Sequence, residues 1–311
     1  MLLVFGVIEA PERGWTDPLI LGCFGAAALL AARFVVWELR TPEPMLDLSF
    51  FRNPRFSVAS AGISIAFFSL FGAIFALTQF LQDAQGYSAL EAGAAMIPLA
   101  FGLVIGAVSS IKLSARFGTT LIVAAGLANL GGMLGMALFW SADMPYLPLG
   151  FWFFGVAVSL GWVTGPATDS VMGAVPEAKS GVASAMNDVT RQVAGALGTA
   201  LVGSLITSLY ATRIGDAVAG LPEQARTAAE DSIGKANAVA AELPTAEGAR
   251  LADAAAEAFT HAMGAGFLVA GLVATLAAIA VKRWLPARHR DAPAAAVVEL
   301  PARLVVREQP A

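Results

Sequence analysis

Four polar side chains stand close together in an otherwise apolar stretch: Asn187, Asp188, Arg191 and Gln192. Asn187 lies four residues and Asp188 three residues before Arg191, so on a helix these three share one face. A charge in hydrocarbon costs about 2.5–3.5 kcal/mol on insertion scales, so each charge there needs a partner or a wet surface. Two chemistries fit. The face can line a polar cavity that binds a substrate or couples to a proton. Alternatively, Asp188 and Arg191 form an ion pair within the helix, with Arg191 extending its head to the interface. Asp169, near the end of the preceding apolar stretch, is open to two roles, a proton-carrying carboxylate or an exposed helix-end group. Gln79 and Gln82 close an earlier stretch and stand at a cavity mouth or at the membrane interface. Phe67, Phe68, Phe71 and Phe75 fall on one helix face, able to stack planar or cationic compounds or to pack against neighbouring helices and lipid.

Small residues form a second group. Gly161, Gly165 and Pro166 share one stretch, and Gly195, Gly198 and Gly203 the next. They permit close helix approach, and Gly-Pro weakens the backbone ladder, so packing and a hinge are both open. Other chemistries are excluded by composition. Cys23 is the sole cysteine and His261 and His289 the sole histidines, which leaves no disulfide within the chain and no Cys/His metal cluster. No zinc-protease motif or nucleophile elbow occurs, so an enzyme is not expected and no cofactor is implied. A net charge of −4 provides no basic field for nucleic acid.

The elements that must position these residues are membrane helices. Of 311 residues, 57% are hydrophobic and 14% charged, where a soluble domain carries about a quarter charged. A bilayer span needs about 20 apolar residues. Stretches 19–37, 57–81, 92–113, 119–140, 147–172, 182–210 and 263–281 qualify, giving seven spans, while residues 1–8 are too short and read as the end of a helix. None alternates as a membrane β-strand would. The fold class is therefore an all-α polytopic bundle. Arg40, Arg52 and Arg55, then Lys112 and Arg116, then Lys179, and finally Lys282, Arg283, Arg288 and Arg290 occupy every second short connection; those between them, 82–90 and 141–146, have no Lys or Arg. The positive-inside rule puts the basic set, and with it the C-terminus, in the cytoplasm of a plasma-membrane protein. Residues 211–258 are polar and charge-mixed; one or two extracellular helices are expected there, the second running on into the last span, as a solvated hairpin or as a lid. The Ala/Pro/Val-rich tail from Asp291 is expected to be disordered.

The turn 111–120 reads Ile-Lys-Leu-Ser-Ala-Arg-Phe-Gly-Thr-Thr. It resembles the cytoplasmic signature of the major facilitator superfamily, Gly-x-Leu-x-Asp-Arg-x-Gly-Arg-Arg. Lys112, Leu113, Ser114, Arg116, Phe117 and Gly118 fit; Ile111, Ala115, Thr119 and Thr120 depart from it. The loop 44–53, the stretch 86–93, Gly165-Pro166 and residues 185–198, with Arg191, Gln192 and Gly195, are similar to the fourteen-helix drug:proton antiporter branch. The resemblance implies linker helices in 1–56, a six-helix C-terminal half in 57–284 and a tail in 285–311. It implies a cytoplasmic gate at Lys112, Arg116 and Gly118, Arg116 being alternatively a plain positive-inside anchor. It also implies proton-driven efflux of lipophilic molecules, with substrate at the midplane between two halves that rock. On this resemblance the other six helices must come from elsewhere, a longer chain or a partner. An inactive remnant is the alternative.

Overall fold

The structure is a computed structural model and describes residues 1–41, 44 and 47–285. The expected disordered tail, with His289, Arg288 and Arg290, lies outside the described residues. Eleven α-helices follow in order among them: α1 Leu2–Arg13, α2 Pro18–Arg40, α3 Pro54–Gln79, α4 Ala89–Ala95, α5 Ile97–Phe117, α6 Thr119–Met136, α7 Tyr146–Met172, α8 Ser180–Val218, α9 Glu223–Asp231, α10 Ile233–Glu242 and α11 Thr245–Trp284. Seven helical stretches are long and apolar enough to cross a membrane, the same seven that the apolar stretches predict. With its 12 residues, α1 is too short to cross.

Helix starts follow local chemistry. Asp17 and Asn53 accept from the backbone N–H groups of Leu19 and Arg55 at 2.8 and 3.0 Å, with Pro18 and Pro54 at first helical positions where a missing N–H costs nothing. Ser88 and Glu91 form a reciprocal capping box on α4. The expected single span 92–113 is in fact two helices, α4 and α5, broken at Met96. Pro98, which has no N–H to donate, fits the first turn of a new helix better than the interior of an old one. The polar segment 211–258 also differs in detail from expectation. Its start continues α8, which runs 39 residues, and its end begins α11, which runs 40. The short α9 and α10 lie between, starting after Pro222 and at the Ser232 cap.

Side-chain bonds sort the connections into two ends. At one end Asn53 Nδ2 donates to Ala174 O (3.3 Å) and Thr120 Oγ1 to Leu285 O (3.2 Å). At the other, Gln85 Nε2 donates to Met144 O (2.8 Å), Tyr146 Oη to Ala95 O (3.3 Å) and Asn237 Nδ2 to Asp83 O (2.7 Å). The basic connections all collect at the first end, as the alternation of charges requires. Between the ends, α3 packs on α8, α5 on α7, and α6 on both α7 and α11, while α11 also reaches α3 and α8. Near the second end Trp152 stacks on Phe267 (5.9 Å, 8°) and meets Trp140 edge-on (5.0 Å), tying α7, α11 and the α6–α7 connection with offset and T-shaped contacts that rings prefer. By contrast, α2 rests on α1 and buries only Ile20 and Glu38.

A strap closes the first end. Lys179 Nζ lies 2.6 Å from Asp47 Oδ2 and 5.7 Å from the Phe50 ring centroid. The hydrogen bond from Lys179, helped by those from Ser49, holds the Asp47 carboxyl below the usual carboxylate range. A carboxyl with a lowered folded-state pKa stabilises above its unfolded pKa, about 3.9, and loses that contribution as pH falls through the folded value. Asp47→Asn is therefore expected to lower the melting temperature of the purified chain at pH 7. The gap between wild type and variant should narrow as pH falls below the unfolded value of about 3.9 and on through the lower folded value. A gap that stays constant as the carboxyl is protonated would show that the strap is held by something else.

Candidate functional site

Three helices meet at Arg191. From α8, its Nη2 donates to Thr168 Oγ1 on α7 at 3.0 Å, and its guanidinium lies 5.4 Å from the ring centroid of Phe67 on α3. The side chain remains 25% exposed. The planar, weakly hydrated guanidinium suits this arrangement, since it stacks on an aromatic face and still presents donors at its edge. Its ion pair with Asp188 is loose, at 3.9 Å with the carboxylate side chain 60% exposed. Such pairs contribute about 0–1 kcal/mol, so Thr168 and Phe67 fix Arg191 more firmly than Asp188 does. Nε of Arg191 and Oδ1 of Asn187 are shielded from solvent and take no partner from the protein, with Asn187 only 3% exposed. Leaving such groups unpaired costs about 1–3 kcal/mol each.

The aromatic stripe divides. Phe71 stacks on Phe67 (6.2 Å, 25°) and lies over Gly195, where a Cβ would stand 3.1 Å from the ring, yet it stays 46% exposed. Phe75 crosses Gly203 in the same way, and the backbone of Phe68 sits directly against Gly198. The stripe is thus an α3–α8 contact with an open edge, formed by Phe71 and Phe75. In α7, Gly161 meets the backbone of Gly106 and Ala107 on α5, while Gly165 is exposed with Ser110 Oγ 3.3 Å from its Cβ position. Pro166 is buried next to it inside the helix.

Other residues singled out from the sequence stand apart. Asp169 is exposed beyond Thr168, and Gln192 points to the surface one position beyond Arg191. Gln79 is half-buried at the far end of α3, about 12 Å along the axis from Phe71 at 1.5 Å per residue. In the signature turn, Lys112 and Arg116 are exposed, and Arg116 lies 5.2 Å over its neighbour Phe117 without an ion pair among the described residues. Gly118 has φ +89° and joins α5 directly to α6, a conformation that glycine alone adopts without strain. Two polar contacts escaped the sequence reading. Thr168 is uncharged and reads as helix filler, its only signal being its place one turn after Thr164. Asn129 Nδ2 donates to Ser159 Oγ at 2.7 Å and joins α6 to α7.

Residues 3–199 match the family model described as Major Facilitator Superfamily. The chain belongs to the major facilitator superfamily. It is similar to the tetracenomycin C resistance and export protein of Streptomyces glaucescens, 34% identical over 89% of this chain and 52% of that protein. It is also similar to the multidrug efflux pump LfrA of Mycolicibacterium smegmatis, 30% identical over 90% of this chain and 56% of the relative. The multidrug resistance protein Stp of Mycobacterium tuberculosis is 33% identical over 66% of this chain and 38% of its own length. This major facilitator chain thus spans about half the length of the first two relatives. The family is one of multi-pass membrane transporters rather than enzymes, and the three relatives named are export, efflux and resistance proteins.

Proposed function

We propose that the chain is the C-terminal part of a proton-coupled efflux transporter for small lipophilic molecules, working in the plasma membrane with six further helices from a longer chain or a partner chain. The observation that carries this reading is the α3–α7–α8 face: one partly exposed guanidinium held by Thr168 and Phe67, the exposed Asp188 carboxylate near it, and an open aromatic edge at Phe71. In a bilayer such a face needs a wet or ligand-filled space, and a second half placed over it would make that space at the midplane. Arg191, Asn187 and Asp188 serve substrate or proton there. Asp169, Gln192 and Gln79 line the approaches, and Lys112, Arg116 and Gly118 form the cytoplasmic turn. The glycines of α7 and α8 carry the packing that rocking must preserve. By the positive-inside rule the strap end and the C-terminus face the cytoplasm. A second reading, an inactive remnant, draws on the half-length match to the relatives.

The test joins the chain to six helices from the corresponding part of a relative, or from its own upstream coding sequence. Uptake of a lipophilic dye into everted vesicles, where export runs inward, is then measured with the lumen acidified. The joined form is expected to transport and to stop when a protonophore collapses the gradient, while the chain alone does not transport. A joined form that reaches the membrane in normal amount and moves no dye under any gradient would leave the remnant reading standing.

A further inference from the structure

The outer face of α2 carries charge well inside the length that crosses the bilayer. The helix leans on α1, which itself packs on α8, and touches the turn Leu48–Arg52. Its two buried residues, Ile20 and Glu38, lie on one side. Helical spacing puts Arg33, Trp37 and Arg40 together on the opposite side, with Leu29 and Leu30 one turn deeper. All five are exposed, Leu29 at 73% and Trp37 at 67%. Arg33 and Arg40 make no hydrogen bond or ion pair among the described residues, and Glu38, the one carboxylate of α2, is turned away from them.

Depth makes Arg33 the telling residue. It stands seven residues before Arg40, about 10 Å along the axis, in a helix of 23 residues that is little longer than the hydrocarbon is thick. Side chains on a helix lean toward its N-terminus, which for α2 is away from the basic end. Arg33 therefore starts out directed into hydrocarbon, where an unpaired guanidinium is costly. We infer that this face is a binding site for an anionic phospholipid of the leaflet at the basic end, its phosphate held between Arg33 and Arg40 and its acyl chains lying along Leu29 and Leu30. The planar guanidinium matches two phosphate oxygens at once. Trp37 between the two arginines marks headgroup depth, where its amphipathic ring is at home. Of the possible occupants, lipid is the one that reaches a face pointing away from every helix that α2 touches. The inference does not rest on efflux activity.

The probes are phosphatidylglycerol, which is anionic, and phosphatidylcholine, which has no net charge. Each is titrated into the full 311-residue chain, purified in detergent, and the bound lipids are counted by native mass spectrometry. Wild type is expected to bind its first phosphatidylglycerol at least about tenfold more tightly than its first phosphatidylcholine, the order that two basic side chains supply at an anionic surface. Arg33→Gln with Arg40→Gln should bring the two lipids level. Both positions are exposed, and an unchanged melting curve verifies the fold. Lys282→Gln with Arg283→Gln removes two exposed charges at the C-terminus of α11, at the same end, and should leave the preference intact. Equal binding of the two lipids to wild type overturns the site. So does a preference that survives the double substitution in α2. One lost as fully in the α11 variant also overturns it, reducing the site to a general attraction of the basic end. In the joined transporter the preference should persist; its loss there would assign the face to a carboxylate of the other half instead of to lipid.

Discussion

Gly198→Leu is expected to prevent assembly of the helix bundle. A Cβ at Gly198 would fall on the Phe68 carbonyl, with the carbonyl carbon at 2.7 Å and Cα at 2.8 Å. The obstacle is backbone, so no rotamer change relieves it and α3 must move away from α8. That movement would also open the contacts of Phe71 with Gly195 and of Phe75 with Gly203, because all three lie along one helix pair. Association of membrane helices depends on such close packing, since lipid offers apolar side chains as good an environment as a neighbouring helix does. Gly198→Ala should cost about 1–3 kcal/mol, the usual range for overpacking, and the leucine variant more. Gly132→Ala is the control, since nothing lies within 4 Å of its Cβ position; it should be neutral or slightly stabilising because alanine is the better helix former. Size-exclusion profiles and thermal unfolding in detergent report all three. A leucine variant with a wild-type melting point would show that the Phe68 backbone does not press on Gly198.

Arg191→Leu in the joined transporter is expected to reduce efflux by at least about tenfold, the equivalent of one strong charge-assisted contact, with normal amounts in the membrane. Arg191→Lys should recover little, because an ammonium cannot both stack on Phe67 and present a planar edge to Thr168. Asp188→Leu alone should be mild, given the long, exposed ion pair. The double substitution Asp188→Leu/Arg191→Leu decides between the two roles open from sequence. If the two residues matter only as a charge pair, removing both restores transport. If Arg191 serves the cavity, the double variant is as poor as Arg191→Leu. Restoration of efflux in the double variant would therefore refute the functional assignment of Arg191.

The membrane elements were legible because bilayer thickness imposes a length on each apolar stretch and the basic connections mark every second turn. The break at Met96 was not, although Pro98 stood in plain view, because the apolar run continues unbroken across it and hydropathy is blind to backbone donors. The extension of α8 to Val218 was missed for the opposite reason: its last two turns are polar, and only tertiary contact, such as Tyr210 Oη donating to Ala229 O at 3.0 Å, shows that they remain folded. At the site, spacing placed Asn187, Asp188 and Arg191 on one helix but could not say what each would meet. The structure turns Arg191 toward α7 and α3, leaves Asp188 in the open and encloses Asn187. A neutral hydroxyl in a helix carries almost no signal, so Thr168 became visible only as the acceptor of a hydrogen bond from another helix.

The lengths of α8 and α11 have a mechanical side. At 39 and 40 residues each reaches about 60 Å at 1.5 Å per residue, twice the roughly 30 Å of hydrocarbon it crosses. Both helices are unbroken, and α9 and α10 bridge their projecting parts, so the projection is a lever arm rigidly attached to the half. Turning such an arm by 20° about the bilayer centre sweeps its tip sideways by about 10 Å or more, given an arm of roughly 40 Å from the midplane. Any small tilt inside the membrane is therefore enlarged outside it, on a surface that a label or an antibody can reach.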